Sequence, residues 1–350
     1  MGRCRHKLTD ILFIGLCTVI CGGEDFPDME EFGKEREEWL KKYIELKNGI
    51  PSHDTFERKF QNLDCELFRS SLYSLTAVEV IDFSKELINI DGKKLRGESP
   101  NSKGTDGLYI LTAWLSDSCV SIAEQKVEDK SNEIKAIPDL LDKIEIEGSM
   151  VSIDPIGCQT AIAELIVSKK ADYLLGVKGN QADLLEEITE SFSFGKIEQE
   201  AQTLDYGHGR IETRKCSVLA ATDFLSPKQL KRWKGVKSII QIESKRTIGD
   251  KTSNEKRYYI SSRIEDAAFF NLNVRKHWSI ENKLHWNLDV IMKEDTNRSR
   301  TGNAPQNLNT LRKLALALLS RKFDKHTKPK KMFKAALNTD YLEKILNVKF

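Results

Sequence analysis

Three short apolar segments, two of them followed directly by a helical pattern, place the tightest limit on the fold of this chain. The segments "LINID", "SMVSID" and "ADYLLGVKGN" have the length and composition of buried strands. The helical patterns "CQTAIAELIVSKK" and "QADLLEEITESF" follow the second and the third. Because strands that alternate with helices pair in parallel, we predict an α/β sheet covered by helices.

Further strands are predicted outside this alternating region. The segments "GLYILTAWLSD" and "CVSIAEQKV" are typical of a pair of sheet strands, and "SNEIKAIPDLLDKIEI" is typical of a helix. Three later segments, "RIETRKCSVLAA", "VKSIIQIESKR" and "EKRYYISSR", indicate strands with no helix of comparable length between the last two. We therefore predict a β-rich insertion at about 198–263, after which helical patterns return.

The chain before the alternating region is predicted to be helical. Helical patterns cover 8–21 and 28–46, and Pro51 and Ser52 break the chain before a further helix. The apolar start "ILFIGLCTVICGG" imitates a secretion signal, but it is too short to cross a membrane and we predict a buried helix. The predicted units are a small all-helical domain at 1–83, an α/β domain with the insertion at 84–320, and a basic C-terminal tail or helix at 321–350.

Composition favours a folded protein with a local excess of positive charge. With 350 residues, of which 39% are hydrophobic and 31% charged, the chain can form two domains with cores of their own. The formal net charge is only +2, but between Thr296 and Lys334 eleven lysines and arginines accompany one acid, Asp324. This excess fits contact with a polyanion, and it fits a solvated helix surface equally well.

The cysteines indicate the compartment. The seven cysteines are scattered, odd in number and include no C-x-x-C pair. They therefore favour neither a disulfide framework nor a zinc ribbon, and we predict a cytoplasmic protein without a membrane segment. The chain has no G-x-x-x-x-G-K-[ST] or G-x-G-x-x-G motif, so no nucleotide cofactor is expected.

Two aspartates each close a predicted strand. Asp91 ends "LINID", Asp154 ends "SMVSID", and a glycine follows each within three residues. Strand ends in an α/β sheet are where ligands gather, because side chains there leave the core while their backbone stays fixed. Oxygen-only ligands at such positions suit Mg²⁺ or Mn²⁺. Taken singly, a strand-terminal aspartate is more often a turn or a helix cap than a ligand.

A third acid lies in the segment "RKHWSIENKLHW". If this segment is a helix, Glu281 lies on a polar stripe beside an apolar one, at the rim of a buried face, and can converge with Asp91 and Asp154. An alternative is a zinc face made by His277, Glu281 and His285, which requires nitrogen ligands and gives the two aspartates no role. The apolar stripe comprises Ile280, Leu284, Leu288 and Ile291, and the polar stripe comprises His277, Glu281, His285 and Asp289.

Two weaker signals lie near these acids. Lys178, in "VKGNQ", follows a predicted strand and could present its side chain to a phosphate, although a plain strand-to-helix turn explains the segment equally well. Trp278 and Trp286 are interpreted as core or domain-contact residues, with stacking on a DNA base as the alternative.

Seven segments carry a family resemblance. They are "INIDGKKLRG", "VEDKSNEIKAIPDLL", "VSIDPIGCQTAIAE", "DYLLGVKGNQADLLEEI", "YGHGRIETR", "RYYISSR" and "RKHWSIENKLHWNLDVIMKEDTNRSR". Together they resemble the DDE transposases of bacterial insertion sequences, in the group that contains the H-repeat-associated proteins of Rhs elements. The segments "LTDILFIGLCTVICGGEDFPDMEEFGKEREEWL" and "NGIPSHDTFERKF" resemble the helical domain that precedes the catalytic core in that group. The resemblance covers nearly the whole chain in the same order.

This resemblance implies an RNase H-like mixed sheet with a β-rich insertion and three catalytic acids. Asp91 of "IDGK" matches the acid of the first strand, Asp154 of "SIDPIG" the acid of a later inner strand, and Glu281 of "HWSIEN" the acid of a late helix. Two Mg²⁺ or Mn²⁺ ions are expected at these acids. Broader relatives have a tyrosine, an arginine and a lysine around the third acid, where this chain has Val274, His277 and Leu288, so no DNA contact is assigned to these three.

The resemblance also implies a reaction and its partners. A transposase of this kind binds the terminal inverted repeats of its element in double-stranded DNA, hydrolyses a phosphodiester and joins the freed 3′ end to target DNA, with a homodimer expected on the DNA. The alternative is a silent or domesticated DNA-binding relic. Five cations are predicted to contact DNA: Lys178, Arg298, Arg300, Arg312 and Lys313.

Overall fold

The computed structural model describes residues 6–74, 86–95, 108–127, 132–197, 199–207 and 209–346. Its strands form one sheet. The strands in these ranges are β1 Leu87–Lys94, β2 Tyr109–Leu115, β3 Val120–Val127, β4 Met150–Ile153, β5 Asp172–Val177, β6 Gln199–Gly207, β7 Arg210–Ala220, β8 Ser238–Ile248 and β9 Lys251–Ser261.

The helices lie before, between and after these strands. Within the described residues the α-helices are α1 Leu8–Ile20, α2 Phe26–Glu35, α3 Glu37–Leu40, α4 His53–Asn62, α5 Cys65–Ser74, α6 Glu133–Asp142, α7 Thr160–Ser168, α8 Ala182–Phe194, α9 Ala221–Phe224, α10 Pro227–Arg232, α11 Ala267–Ile280, α12 Ala304–Ser320, α13 Lys328–Leu337 and α14 Thr339–Leu346. None of the helices in the described ranges is long and apolar enough to cross a membrane.

The sheet is mixed, with the order β3-β2-β1-β4-β5-β9-β8-β7-β6. The central strands β1, β4 and β5 pair in parallel, and all other neighbours are antiparallel. This confirms the predicted α/β class and the parallel core. The three strands predicted within 198–263 are present as β7, β8 and β9, whereas β6 was not predicted. All four continue the same sheet, because β9 pairs directly with β5.

Helices cover both faces of the sheet. Alternate residues of the central strands, such as Ile88 and Val151, belong to one hydrophobic cluster with Ile137 of α6 and Ile162 of α7. The intervening residues Leu87 and Met150 pack in a second cluster with α11, which includes Phe270. This alternation follows from the two-residue period of a strand, and it assigns each core residue to one helical layer.

One strand boundary differs from its prediction. Asp91 was expected to end its strand, but β1 continues through Gly92 to Lys94. The reason is a change of partner. The parallel ladder to β4 stops at Ile90, whereas the antiparallel ladder to β2 continues to Lys94. Asp91 is therefore the first residue of β1 beyond the end of β4.

The C-terminal helices pack against the N-terminal ones. The indole Nε1 of Trp39 donates to Glu343 Oε1 at 2.8 Å, and the Asn307 side chain donates to the carbonyl of Phe60 at 2.8 Å. The predicted buried helix near the N-terminus is α1, which contacts α12 and α13. Residues 321–346, predicted as a basic tail or helix, thus lie with α1–α5 in one helical layer.

Candidate active site

The register of the parallel strands brings two of the predicted acids side by side. Ile90 of β1 is paired with Ile153 of β4, and Ile153 is paired with Leu175 of β5. The residues that follow these three are Asp91, Asp154 and Gly176, so they form the next row across the sheet. Because paired residues point to the same face of a sheet, the two carboxylates emerge on one side.

Each aspartate accepts hydrogen bonds from backbone N–H groups that directly follow it in the chain. Asp154 Oδ1 accepts hydrogen bonds from Ile156 N at 3.1 Å and Gly157 N at 3.4 Å, and so caps the 3₁₀ turn Pro155–Gly157. Asp91 Oδ1 accepts from Gly92 N at 2.9 Å. Capping a turn is a common role of an aspartate that ends a strand, and here the cap also fixes the direction of the Asp154 carboxylate.

The helical segment that carries Glu281 approaches the same place. Helix α11 ends at Ile280, and the chain continues as two π-helical segments, Glu281–His285 and Asn287–Ile291. Ile280, Leu284 and Leu288 are buried, as the predicted apolar stripe requires, whereas Glu281 is exposed. π-Helical turns inside helices are rare and frequent at functional sites.

A cavity of about 400 Å³ connects the three acids. Asp91, Asp154 and Glu281 all line it, together with Gly176 and Tyr259, which are paired across β5 and β9. Gly176 packs closely against Pro155, because a Cβ at this position would lie 3.1 Å from the proline ring. The structure therefore brings the three predicted acids to one cavity.

The acids influence one another electrostatically. Burial raises the pKa of Asp91 to about 7, and the neighbouring charge of Asp154 adds to the effect. Glu133 and Glu281 raise this pKa further, whereas the hydrogen bond from Gly92 lowers it. Carboxylates that repel one another in this way provide negative charge that a bound cation would neutralise.

The chemistry of the acids suits Mg²⁺ or Mn²⁺. These ions prefer carboxylate oxygens, and carboxylates are what the strands and the helical segment bring to the cavity. The cluster is not preassembled, because no three acid, histidine or cysteine side chains among the described residues are grouped closely enough to hold a metal ion. The residues fit the ions by donor type and by their shared cavity.

The alternative zinc face finds no support in the geometry. His277 is buried against Trp278, and its Nδ1 has no hydrogen-bond partner among the described residues. His285 instead turns its Nδ1 towards Asp91 Oδ2, at 3.5 Å. Burial lowers the pKa of His277 to about 4, and burial with the nearby Lys93 and Lys313 lowers that of His285 to about 3.

Aromatic and basic side chains form the rest of the cavity. Lys178 is exposed and lines it, as do Arg257 and Trp278. The guanidinium of Arg257 lies 4.0 Å from the centre of the Trp278 ring, and this indole donates to Tyr259 Oη at 3.2 Å. Trp278 is therefore a packing residue here, whereas Trp286 is 53% exposed.

Two of the five cations predicted to contact DNA lie inside the protein, which corrects that expectation. Arg312 and Lys313 belong to α12, which is buried on nearly all sides. Lys313 Nζ donates to Thr112 Oγ1 at 2.8 Å and lies 3.0 Å from Glu124 Oε1, without hydrogen-bond alignment to the latter. Arg312 donates to the carbonyl of Glu24 at 3.0 Å. Lys313 thus joins α12 to the sheet, Arg312 joins it to the connection between α1 and α2, and neither side chain faces solvent.

The other predicted cations remain accessible. Arg298 and Arg300 are exposed in the segment that precedes α12, and Lys178 is exposed beside the acids. Arg298 lines a second cleft, of about 370 Å³, with the acidic Glu24 and Asp25. Their contact with DNA stays a prediction.

Sequence reasoning missed the contacts that three residues make around Asp91. Lys93 donates to both Asp289 and Glu294 and thereby joins β1 to the segment after Glu281. His285 faces Asp91, and the negative charge of Glu133 raises the pKa of Asp91. The signal for Lys93 was its position two residues after Asp91, on the same face of a strand. Glu133 lay in the motif "VEDKSNEIKAIPDLL", to which no role was given.

Comparison with known proteins identifies the family. Residues 82–318 match the model of the transposase DDE domain, and residues 1–76 match that of the DDE_Tnp_1-associated domain. The chain is 40% identical to the "Putative transposase YncI" of Escherichia coli O157:H7, over 99% of this chain and 90% of that one. It is 36% identical to the "H repeat-associated putative transposase YhhI" of Escherichia coli strain K12, over 98% and 93%.

Among solved structures, the chain resembles piggyBac transposase in a synaptic complex with hairpin DNA. The TM-score is 0.44 and the sequence identity 13%, over 98% of this chain and 74% of that one. The match to the transposase DDE domain covers most of the chain, and the relatives match it over nearly its whole length. The chain therefore belongs to the family of the transposase DDE domain.

Proposed function

We propose that this protein binds the terminal inverted repeats of an insertion sequence, cuts the DNA there and joins the freed 3′ end to target DNA. Membership of the transposase DDE domain family supports the general activity. The proposal includes an RNase H-like catalytic core, for which the strand order β3-β2-β1-β4-β5 and the parallel central strands are the support.

One observation carries the assignment of the catalytic residues. The parallel register of β1 and β4 brings Asp91 next to Asp154, and both line the cavity that Glu281 also lines. Two Mg²⁺ or Mn²⁺ ions held by these three carboxylates would activate the attacking oxygen and stabilise the leaving oxygen in phosphoryl transfer. The strands supply two of the carboxylates on a fixed backbone. The exposed Glu281 supplies the third from the helical segment that follows α11.

Basic side chains would orient the DNA without reading its sequence. Lys178 lines the same cavity as the acids, so its ammonium group is placed to neutralise a phosphate next to the one that reacts. Arg298 and Arg300 are exposed and would contact phosphates further along the duplex. Binding of this kind weakens steeply as salt rises, because each phosphate contact releases counterions. A homodimer on the DNA would hold two repeat ends together.

Cleavage of DNA that carries the repeats flanking the gene tests this proposal. Wild-type protein with Mg²⁺ or Mn²⁺ should nick the repeat ends, and Asp154→Asn should abolish the nicks while leaving the melting temperature and DNA binding near wild type. The matched control is Asp183→Asn, because Asp183 is an exposed aspartate on α8 paired with Lys228. Equal cleavage by wild type and Asp154→Asn would overturn the assignment of Asp154.

A silent DNA-binding relic is the second candidate function. It is favoured by the absence of a preassembled metal cluster among the described residues. Specific binding of the repeats with no cleavage by the wild-type protein in either metal would support it, and would leave the fold assignment intact.

A further inference from the structure

Glu133 is a buried glutamate on the side of the sheet that faces away from the cavity of the three acids. Glu133 is the first residue of α6 and only 3% exposed. Its Oε2 accepts a hydrogen bond from the hydroxyl of Tyr109 at 3.0 Å. Glutamate is rarely buried to this extent unless a partner satisfies it, so this placement calls for a physical reason.

The hydroxyl of Tyr109 links this glutamate to strand β1. Tyr109 begins β2 and pairs with Lys94, and its ring lies over the neighbouring Gly92. A Cβ added to Gly92 would be 2.2 Å from Tyr109 Oη, so any other residue at this position would require the tyrosine to move. The position of Tyr109 thus explains the glycine at residue 92, and the tyrosine ring lies against the backbone of β1.

Gly92 in turn holds Asp91. The N–H of Gly92 donates to Asp91 Oδ1 at 2.9 Å. The contacts therefore form an unbroken chain from Glu133 through Tyr109 and Gly92 to the carboxylate of Asp91. Both hydrogen bonds in this chain have normal lengths.

The same helix supports the second aspartate. A Cβ on Gly157 would lie 3.0 Å from Cδ1 of Ile137, one turn along α6 from Glu133. Gly157 N is one of the two donors that hold Asp154 Oδ1. Helix α6 thus reaches both glycines, Gly157 through Ile137 and Gly92 through the hydrogen bond of Glu133 with Tyr109.

We propose that Glu133 is a positioning residue, which sets the carboxylate of Asp91 through Tyr109 and Gly92. Its effect on the reaction rests on the function proposed above, whereas its effect on Gly92 does not. A carboxylate is a stronger acceptor than a neutral group, so it holds the hydroxyl of Tyr109 in one place. Preorganised groups of this kind keep a reacting side chain within a fraction of an ångström of its working position.

Amide hydrogen exchange of Gly92 tests the chain of contacts without metal or DNA. Protein labelled with ¹⁵N-glycine is compared as wild type, Glu133→Ala, Glu133→Gln and Tyr109→Phe. Glu133→Ala and Tyr109→Phe should speed exchange at Gly92 about tenfold, because each removes the hydrogen bond between Tyr109 and Glu133 that holds the ring over this residue. Glu133→Gln keeps an acceptor for the hydroxyl and should restore slow exchange.

Two controls make the result specific. The amide of Gly15, buried in α1, reports global opening in the same spectra. Glu187→Ala removes a different helical carboxylate, which accepts from Ser226 N and Oγ at 2.9 Å, and should leave Gly92 unchanged. The proposal is overturned by unchanged exchange at Gly92 in Glu133→Ala, by equal acceleration at Gly15, or by Glu133→Gln behaving like Glu133→Ala.

Binding of Mn²⁺ separates this inference from the proposed function. Glu133→Ala should weaken Mn²⁺ binding to the DNA-free protein several-fold, and Glu133→Gln should not. A wild-type protein that binds no Mn²⁺ and cuts no DNA would refute the proposed function, while the exchange of Gly92 would still decide the role of Glu133.

Discussion

Asp91 and Asp154 are neighbours because each directly follows one member of the same parallel pair, Ile90 and Ile153. Strand β4 ends at this pair, and β1 continues beyond it on its other edge. Among the described residues, β1 therefore has no parallel partner beyond this pair, and both carboxylates line the cavity at this place. Their proximity is a property of strand register, which makes it insensitive to changes in the surrounding loops.

We predict that Lys313 stabilises the fold and does not bind DNA. Lys313→Ala leaves the buried Glu124 without its cation, and removal of one member of a buried pair costs about 3–5 kcal/mol of unfolding free energy. Urea denaturation measures this cost. The control is Lys170→Ala, whose pair with Glu147 is exposed and should matter little. A large loss of DNA affinity in folded Lys313→Ala, with stability unchanged, would contradict this role.

Lys178 should contribute to DNA binding in the way a single phosphate contact does. Lys178→Gln should weaken binding to all DNA sequences alike and reduce the slope of log affinity against log salt by about one. Fluorescence anisotropy over a range of salt concentrations measures both quantities. Lys170→Gln, at the opposite end of β5, is the control. Identical slopes for wild type and Lys178→Gln would remove Lys178 from the DNA-binding surface.

The buried His277 should make the fold sensitive to mild acid. Its folded pKa of about 4 lies below the unfolded value of 6.5, so the unfolded chain takes up a proton first as pH falls. Stability contributed by the neutral ring is complete above about pH 6.5 and is lost progressively down to about pH 4. The raised pKa of Asp91 acts in the opposite direction, so a comparison of variants is needed.

His277→Gln should accordingly lose about 2 kcal/mol less stability than wild type between pH 7.5 and pH 5. Chemical denaturation at both pH values provides the measurement. His326→Gln, at an exposed histidine, should show the pH dependence of wild type. A profile for His277→Gln that coincides with wild type would show that this ring does not titrate as its burial requires.

Metal binding should depend on pH through Asp91. Because burial and Asp154 raise the pKa of Asp91 to about 7, a proton competes with the cation for this carboxylate near neutrality. Mn²⁺ affinity of the DNA-free protein should therefore rise from pH 6 to pH 8. Titration of Mn²⁺ with detection of the free ion by electron paramagnetic resonance measures it. Asp154→Asn should bind Mn²⁺ weakly at both pH values. A Mn²⁺ affinity of the wild type that is the same at pH 6 and pH 8 would exclude Asp91 as a ligand.

The sequence predicted what depends on local pattern. Apolar runs gave the central strands, and helical spacing gave the buried face of Ile280, Leu284 and Leu288. The end of β1 was misjudged at Asp91, because the antiparallel partner that extends it is distant in the sequence. The same limit applies to Glu133, whose place behind Asp91 depends on how α6 packs on β2.

The count of charged residues led to a wrong prediction for two cations of α12, for a related reason. Arg312 and Lys313 belong to a basic segment, but their helix lies between the sheet and the N-terminal helices, and only tertiary contacts reveal this. His285 was assigned to a stripe with His277 on the assumption of regular α-helical spacing. The π-helical segments from Glu281 onwards change that spacing, and no rule of periodicity predicts them.

The claim that Asp91, Asp154 and Glu281 hold the same metal ions is tested most directly by iron-mediated backbone cleavage. Fe²⁺ that replaces Mg²⁺ generates hydroxyl radicals with ascorbate and peroxide, and these cut the chain where the ion is bound. The account predicts three sets of cuts, near residues 91, 154 and 281, which excess Mg²⁺ suppresses and which disappear in Asp154→Asn. Cuts that omit any of the three segments, or that persist in Asp154→Asn, would contradict it.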